Sequence, residues 1–163
     1  MKKQGFLCKI IGFIFVILLL FPMLIRTAYA ESTSDDFTYA ISGTTATITG
    51  YAGLEGNITI PKTISNAGVD YTITSIRKAA FQGASKLTNV TIPDSVTNIG
   101  DYAFFNCTNL KEVTIPNSMT SIDASVFRGC TSLENVIIPN SIKSIGEAAF
   151  YGCNRLTNVT IPD

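Results

Sequence analysis

Four times along the second half of the chain the pattern L-x-x-V-x-I-P recurs, apolar residues alternating with polar ones up to a Pro. Such alternation predicts a short strand with one buried face. Val90/Ile92, Val113/Ile115, Val136/Ile138 and Val159/Ile161 would be its inward residues. Pro93, Pro116, Pro139 and Pro162 would stop each strand, because Pro cannot donate to a ladder. Asp or Asn comes next, with Ser after it at all but the last copy; these side chains turn a chain by bonding nearby backbone. A second short extended piece should follow, with Ile76, Ile99, Ile122 and Ile145 pointing inward. The stretches "AAFQG", "YAFFN", "SVFRG" and "AAFYG" then predict a tight helical or 3₁₀ turn, whose Phe81, Phe104, Phe127 and Phe150 fill the core.

The pattern has a period. "LTNVTIPD" at 87–94 returns unchanged at 156–163, 69 residues later, which is three times 23. Cutting at 23 aligns residues 73–95, 96–118, 119–141 and 142–163, and "NITIP" at 57–61 is a degenerate fifth copy. A single copy has too few apolar side chains to offset the entropy of ordering its backbone. Stacked copies make each apolar column continuous, with strands about 4.8 Å apart and the Phe rings able to stack offset. The architecture expected is a solenoid.

Upstream, "FTYAISGTTATITGY" (37–51) alternates Phe37/Tyr39/Ile41 and Ala46/Ile48 around a Ser42-Gly43 turn, as a β-hairpin covering the first coil would. "SNAGVDY" (65–71) interrupts the period as a short excursion. The first 30 residues read as a secretory signal peptide: Lys2, Lys3 and Lys9, then an apolar run from Ile10, then Ala28-Tyr29-Ala30 before Glu31. An uncleaved membrane anchor is the alternative for this segment. The divisions expected are therefore 1–30 signal peptide, 31–56 hairpin cap and 57–163 repeats.

The unit "SI-x-x-x-AF-x-GC-x-x-L-x-x-V-x-IP" resembles the BspA-like leucine-rich repeats of secreted and surface proteins, over about residues 57–163. That resemblance implies a leucine-rich-repeat solenoid: a right-handed coil, mostly β with short helical or 3₁₀ turns, begun by an N-terminal β-hairpin cap. It also implies a secreted or cell-surface protein resembling adhesins, which engage host matrix proteins or cell-surface ligands. One departure concerns the turn: Ser95, Ser118 and Ser141 stand where leucine-rich repeats generally carry Asn, leaving the turn chemistry to Asp94, Asn117 and Asn140.

Charge and chemistry narrow the function. The leader holds four of the twelve basic residues and no acidic one, so the remainder is −4. A mildly acidic chain argues against nucleic acid, whose binders carry a dense basic footprint. The chain has no His, and with it lacks the usual general base and metal imidazole. Asp101, Asp123 and Glu147 occupy neighbouring positions in successive copies but lack calcium-loop spacing, and read as a solvated edge. Cys107, Cys130 and Cys153 share a column with Ala84, which favours small apolar filler over a thiol site. No catalytic residue, cofactor or metal is expected.

Between the inward residues of each strand lie Asn89/Thr91, Glu112/Thr114, Asn135/Ile137 and Asn158/Thr160, with Asn57/Thr59 in the degenerate copy. These form the candidate ligand face, since rigid repeat surfaces serve binding. The alternative is a soluble, β-compatible exterior with no ligand. Ile137 breaks the Thr column with an exposed apolar side chain, which favours contact; one Thr per copy is too sparse for an ice-binding array. Tyr102, Phe105 and Tyr151 on the turns are a second candidate surface. The function expected is an extracellular protein-binding or adhesion module, touching the membrane only through its signal peptide; the alternative is a structural spacer of a larger envelope protein. A strand left uncovered at the last copy would permit end-to-end self-association.

Overall fold

A computed structural model describes residues 30–34, 36–53 and 55–160. The predicted leader lies outside the described residues except for Ala30, as does the end of the last copy from 161 on.

The chain begins with β1 (Ala30–Ser34), β2 (Phe37–Ser42) and β3 (Thr45–Tyr51). β2 and β3 form the expected hairpin, but Ser42 pairs with Thr45, so the turn residues are Gly43 and Thr44 rather than Ser42 and Gly43. The one-residue shift follows from geometry: Gly43 takes φ +59° at the first central position, as a II′ turn requires. Tyr39, Ala46 and Ile48 alternate into the core as predicted. β1 adds an antiparallel strand to β2, from Ala30 opposite Ile41 to Ser34 opposite Phe37; nothing in its sequence, AESTS, announces it.

β4 (Asn57–Thr59), β5 (Thr63–Asn66) and β6 (Val69–Ile76) come next. The excursion at 65–71 is a second hairpin, β5–β6, closed by Ala67 and Gly68. Both have positive φ, +51° and +80°, the requirement of a I′ turn. β6 also runs parallel to β3, Ile48 opposite Ile76, which joins the N-terminal hairpin to the repeats.

The remaining strands are four of three residues and three of two residues. The longer are β7 (Asn89–Thr91), β9 (Glu112–Thr114), β11 (Asn135–Ile137) and β13 (Asn158–Thr160). The shorter are β8 (Asn98–Ile99), β10 (Ser121–Ile122) and β12 (Ser144–Ile145). The longer strands form a parallel sheet in the order β13-β11-β9-β7-β4. β8 joins β6, and β10 joins β12. The corner after each long strand is closed by backbone: the amides of Val96, Met119 and Ile142 donate to the carbonyls of Pro93, Pro116 and Pro139 at 3.0–3.2 Å. Ser118 adds a hydroxyl bond to the Val96 carbonyl, while Asp94, Asn117 and Asn140 are exposed. The corner therefore rests on backbone geometry more than on the Asp and Asn side chains expected to make it.

The Phe turns are not helical, in contrast to the expectation. In the first copy, Ala80, Gln82 and Ala84 donate to residues three back, Arg77, Ala79 and Phe81. The intervening amides of Ala79, Phe81 and Gly83 instead reach the next coil, at Asp101, Ala103 and Phe105, at 2.8–3.1 Å. Consecutive i→i+3 bonds cannot accumulate into a 3₁₀ helix when every second amide is committed sideways. The bent path puts Ala79, Tyr102, Ser125 and Ala148 in the left-handed region, φ +55° to +59°.

Inside, the Phe rings stack as predicted: Phe81–Phe104 at 4.7 Å, Phe104–Phe127 and Phe127–Phe150 at 5.5 Å, all within 18° of parallel. Tyr51 stacks on Phe81 at 5.2 Å and Phe37 meets it edge-on, so hairpin and repeats share one core. One inward expectation fails. Ile76, Ile99 and Ile122 are buried, but Ile145 is 43% exposed, because among the described residues no coil stacks beyond its own.

Candidate functional site

The strand face is assembled by register. Asn57, Asn89, Glu112, Asn135 and Asn158 stand opposite one another across the sheet, and so do Thr59, Thr91, Thr114, Ile137 and Thr160. Between the two columns Ile58, Val90, Val113 and Val136 turn into the core. A slip of one residue would put those side chains in water, so the buried column fixes the outward ones. Thr91, Glu112, Thr114 and Asn135 are exposed, and Asn89 is half-buried. Ile137 is 73% exposed where its neighbour Val136 is 2% exposed. The side chains of Asn158 and Thr160 lie outside the described residues; their place in β13 sets them opposite Asn135 and Ile137.

Side-chain hydrogen bonds tie neighbouring rungs of this surface together. Asn89 Nδ2 donates to Glu112 Oε2 at 3.4 Å, and Thr88 Oγ1 to Asn57 Oδ1 at 2.8 Å. At the β11 end Arg155 Nη1 lies 3.9 Å from Glu134 Oε1, an exposed pair contributing little to stability. Glu134, Asn135, Arg155 and Thr157 line a shallow groove of about 470 Å³ there. The outward columns can offer amides, hydroxyls, one carboxylate and one apolar side chain to a partner. Among the described residues they hold no nucleophile paired with a base.

The other sequence candidates fall elsewhere. Asp101 Oδ1 accepts the Ala124 amide at 3.2 Å, and Asp123 Oδ1 accepts the Ser121 hydroxyl at 3.4 Å. Among the described residues no group of three His, Cys, Asp or Glu gathers to hold a metal. The thiols of Cys107, Cys130 and Cys153 each donate to the carbonyl of the previous coil's Phe, at 3.1–3.2 Å, and all three are unbridged. Burial pushes the Cys153 thiol up to about 11. Cys130 is raised by the neighbouring Cys107 thiol and by burial. Both stay protonated at neutral pH and are poor nucleophiles.

On the turns, Tyr102 meets Phe105 edge-on at 5.7 Å and Tyr151 is 68% exposed. Two cations that composition did not single out join them: Lys78 lies 5.4 Å from the Tyr102 ring centroid and Arg128 5.1 Å from that of Tyr151. The signal for Arg128 was the period itself, which puts it in one column with Phe105 and Tyr151.

Parallel one-face ladders, a Leu/Val/Ile core and stacked Phe turns define a leucine-rich-repeat solenoid. The profile of the BspA type leucine rich repeat region matches residues 61–163, in six copies, and the chain belongs to that family. Solved structures agree. A leucine-rich repeat protein from Bacteroides capillosus superposes with TM-score 0.70 at 28% identity, covering 82% of this chain and 99% of that one. A leucine-rich repeat protein from Bacteroides ovatus gives 0.66 at 29%, covering 80% and 41%. A leucine rich cell surface protein from Faecalibacterium prausnitzii gives 0.62 at 32%, covering 82% and 43%. The chain thus spans less than half the length of the last two. Among curated protein sequences none matches.

Proposed function

We propose that this chain is a non-catalytic binding module, exported through its N-terminal leader and displayed outside the cell, whose strand face engages an extracellular protein or a matrix or cell-surface ligand. The observation that carries the reading is Ile137: a large apolar side chain, 73% exposed, held at the centre of an otherwise polar face by ladders on both sides. A rigid sheet presents such a residue without the ordering cost of a loop, which favours contact with a partner. The cell-surface description of the Faecalibacterium relative supports the location.

The test is adhesion of beads carrying the mature chain to immobilised matrix proteins and to cell layers. Changing Asn89, Glu112, Asn135 and Ile137 together to Ser should abolish adhesion while leaving the melting temperature within a few degrees, since none of the four is buried. Adhesion that survives the change would remove the strand face as the site. A chain that adheres to nothing would favour a spacer role.

A further inference from the structure

Three columns of the repeat open a second groove, of about 450 Å³, on the turn side. Each column contributes one residue per coil over three successive coils. One wall is Phe105, Arg128 and Tyr151. The floor is Asn106, Gly129 and Gly152, the two glycines at positive φ, +76° and +77°. The far wall is Thr108, Thr131 and Asn154.

The wall chemistry is specific. Tyr151 is 68% exposed, and the Arg128 guanidinium rests over one face of its ring, 5.1 Å from the centroid. No acidic residue lines the groove, and among the described residues Arg128 makes no ion pair. A planar guanidinium in this position is a fork prepared for a carboxylate, which it matches with two parallel hydrogen bonds. The floor amides of Asn106 and Gly129 are committed to the carbonyls of Arg128 and Tyr151, at 2.9 and 2.8 Å, so at those two positions recognition falls to side chains. Thr131 gives its hydroxyl proton to the Thr108 carbonyl at 3.2 Å and keeps lone pairs to accept. Asn154, exposed beside it, can donate and accept.

An aromatic face, a row of amides and hydroxyls and one unpaired guanidinium suit a pyranose ring bearing a carboxylate. The sugar's carboxylate would lie on Arg128, its hydroxyls against Thr131 and Asn154, and its C–H surface against the part of Tyr151 that Arg128 leaves uncovered. A nucleic acid would need many more cations than this groove supplies. We propose that the turn-side groove is a binding site for acidic saccharides, a uronate or a sialate, separate from the strand face.

The experiment is calorimetric titration of the full mature chain with hyaluronan hexasaccharide, with sialyllactose, and with cellohexaose as a neutral control. At least one acidic sugar should bind about ten-fold or more tightly than cellohexaose, and Arg128→Gln should weaken it by a similar factor. Tyr151→Ala, at an exposed position and therefore safe for folding, should weaken it too, while Ile137→Thr should leave it unchanged. Binding of the hexasaccharide assigns a uronate, and binding of sialyllactose a sialate. Binding of neither acidic sugar, or equal binding of all three, overturns the proposal, as does acidic-sugar binding that survives both Arg128→Gln and Tyr151→Ala.

Discussion

On the strand side, β7, β9 and β11 pair in continuous parallel register and leave every second side chain outward. On the turn side, alternate amides reach the next coil, and each repeat holds two residues at positive φ, such as Ala79 with Gly83 and Ser125 with Gly129. Both sides obey one 23-residue period, yet they store their specificity differently. The strand side specifies an inward column and leaves the outward one free to vary. The turn side specifies the backbone itself, and its neighbouring coils approach closely enough that small changes are felt. The difference predicts where substitutions should be severe and where they should be silent.

The largest effect belongs to the Phe column, the interior of the turn side. Phe104 is fully buried between Phe81 and Phe127, so Phe104→Ala should destabilise by about 3–5 kcal/mol in urea unfolding. Thr114→Ala, outward on the strand side, should stay within about 0.5 kcal/mol. Comparable losses in the two variants would erase the contrast.

Next comes the approach of coil to coil. A Cβ on Gly100 would lie 2.8 Å from the Lys78 amide nitrogen and 3.2 Å from its Cα, backbone that cannot swing aside. Gly100→Ala should therefore force the first two coils apart and destabilise by about 1–3 kcal/mol. Gly83→Ala isolates the other turn-side constraint: its φ is +71° but nothing lies within 4 Å of a Cβ, so only about 1 kcal/mol should be lost. A Gly100→Ala variant as stable as the parent would show that the coils slide freely.

The cysteine column gives a smaller, pH-dependent effect. Cys153 titrates at about 11 against an ordinary value of 9.0, so the folded chain holds the thiol proton more tightly than the unfolded one. The associated stability is complete below pH 9 and is lost as pH rises through 11. Melting temperature should thus be level from about pH 6 to 8 as far as the thiols are concerned, and the fall above pH 9 should be shallower in Cys153→Ala. Parallel curves for the two proteins would mean that the thiol proton is not linked to folding.

These two sides also explain what the sequence could and could not tell. The strand columns were legible because alternation and Pro act locally: Val90 inward forces Thr91 outward, and the period repeats the inference in every coil. The Phe stack was legible for the same reason. The turn conformation was not, because Ala79 and Tyr102 carry no sign that they sit at positive φ; the condition is imposed by amides shared with the next coil. Nor was β1, whose sequence AESTS has no alternation of apolar and polar residues. The second groove was half legible: Tyr151 and Phe105 stood out, whereas Arg128 acquired meaning only when stacking placed it on the Tyr151 ring.

The smallest expected stability change is also the sharpest test of the strand side. Ile137 faces water between Thr114 and Thr160 in the ladder, the one break in a column of Thr. Replacing it with Thr restores the column with another β-branched residue of similar strand preference, and little apolar area is newly exposed. Ile137→Thr should therefore change the unfolding free energy by less than about 0.5 kcal/mol. If the side chain is there for packing, the loss should instead approach the roughly 2 kcal/mol seen when a buried aliphatic side chain is cut back. If it is there for a partner, the melt stays put and adhesion falls. Thermal unfolding and bead adhesion on the same variant separate the two, because a residue kept for contact moves only the second.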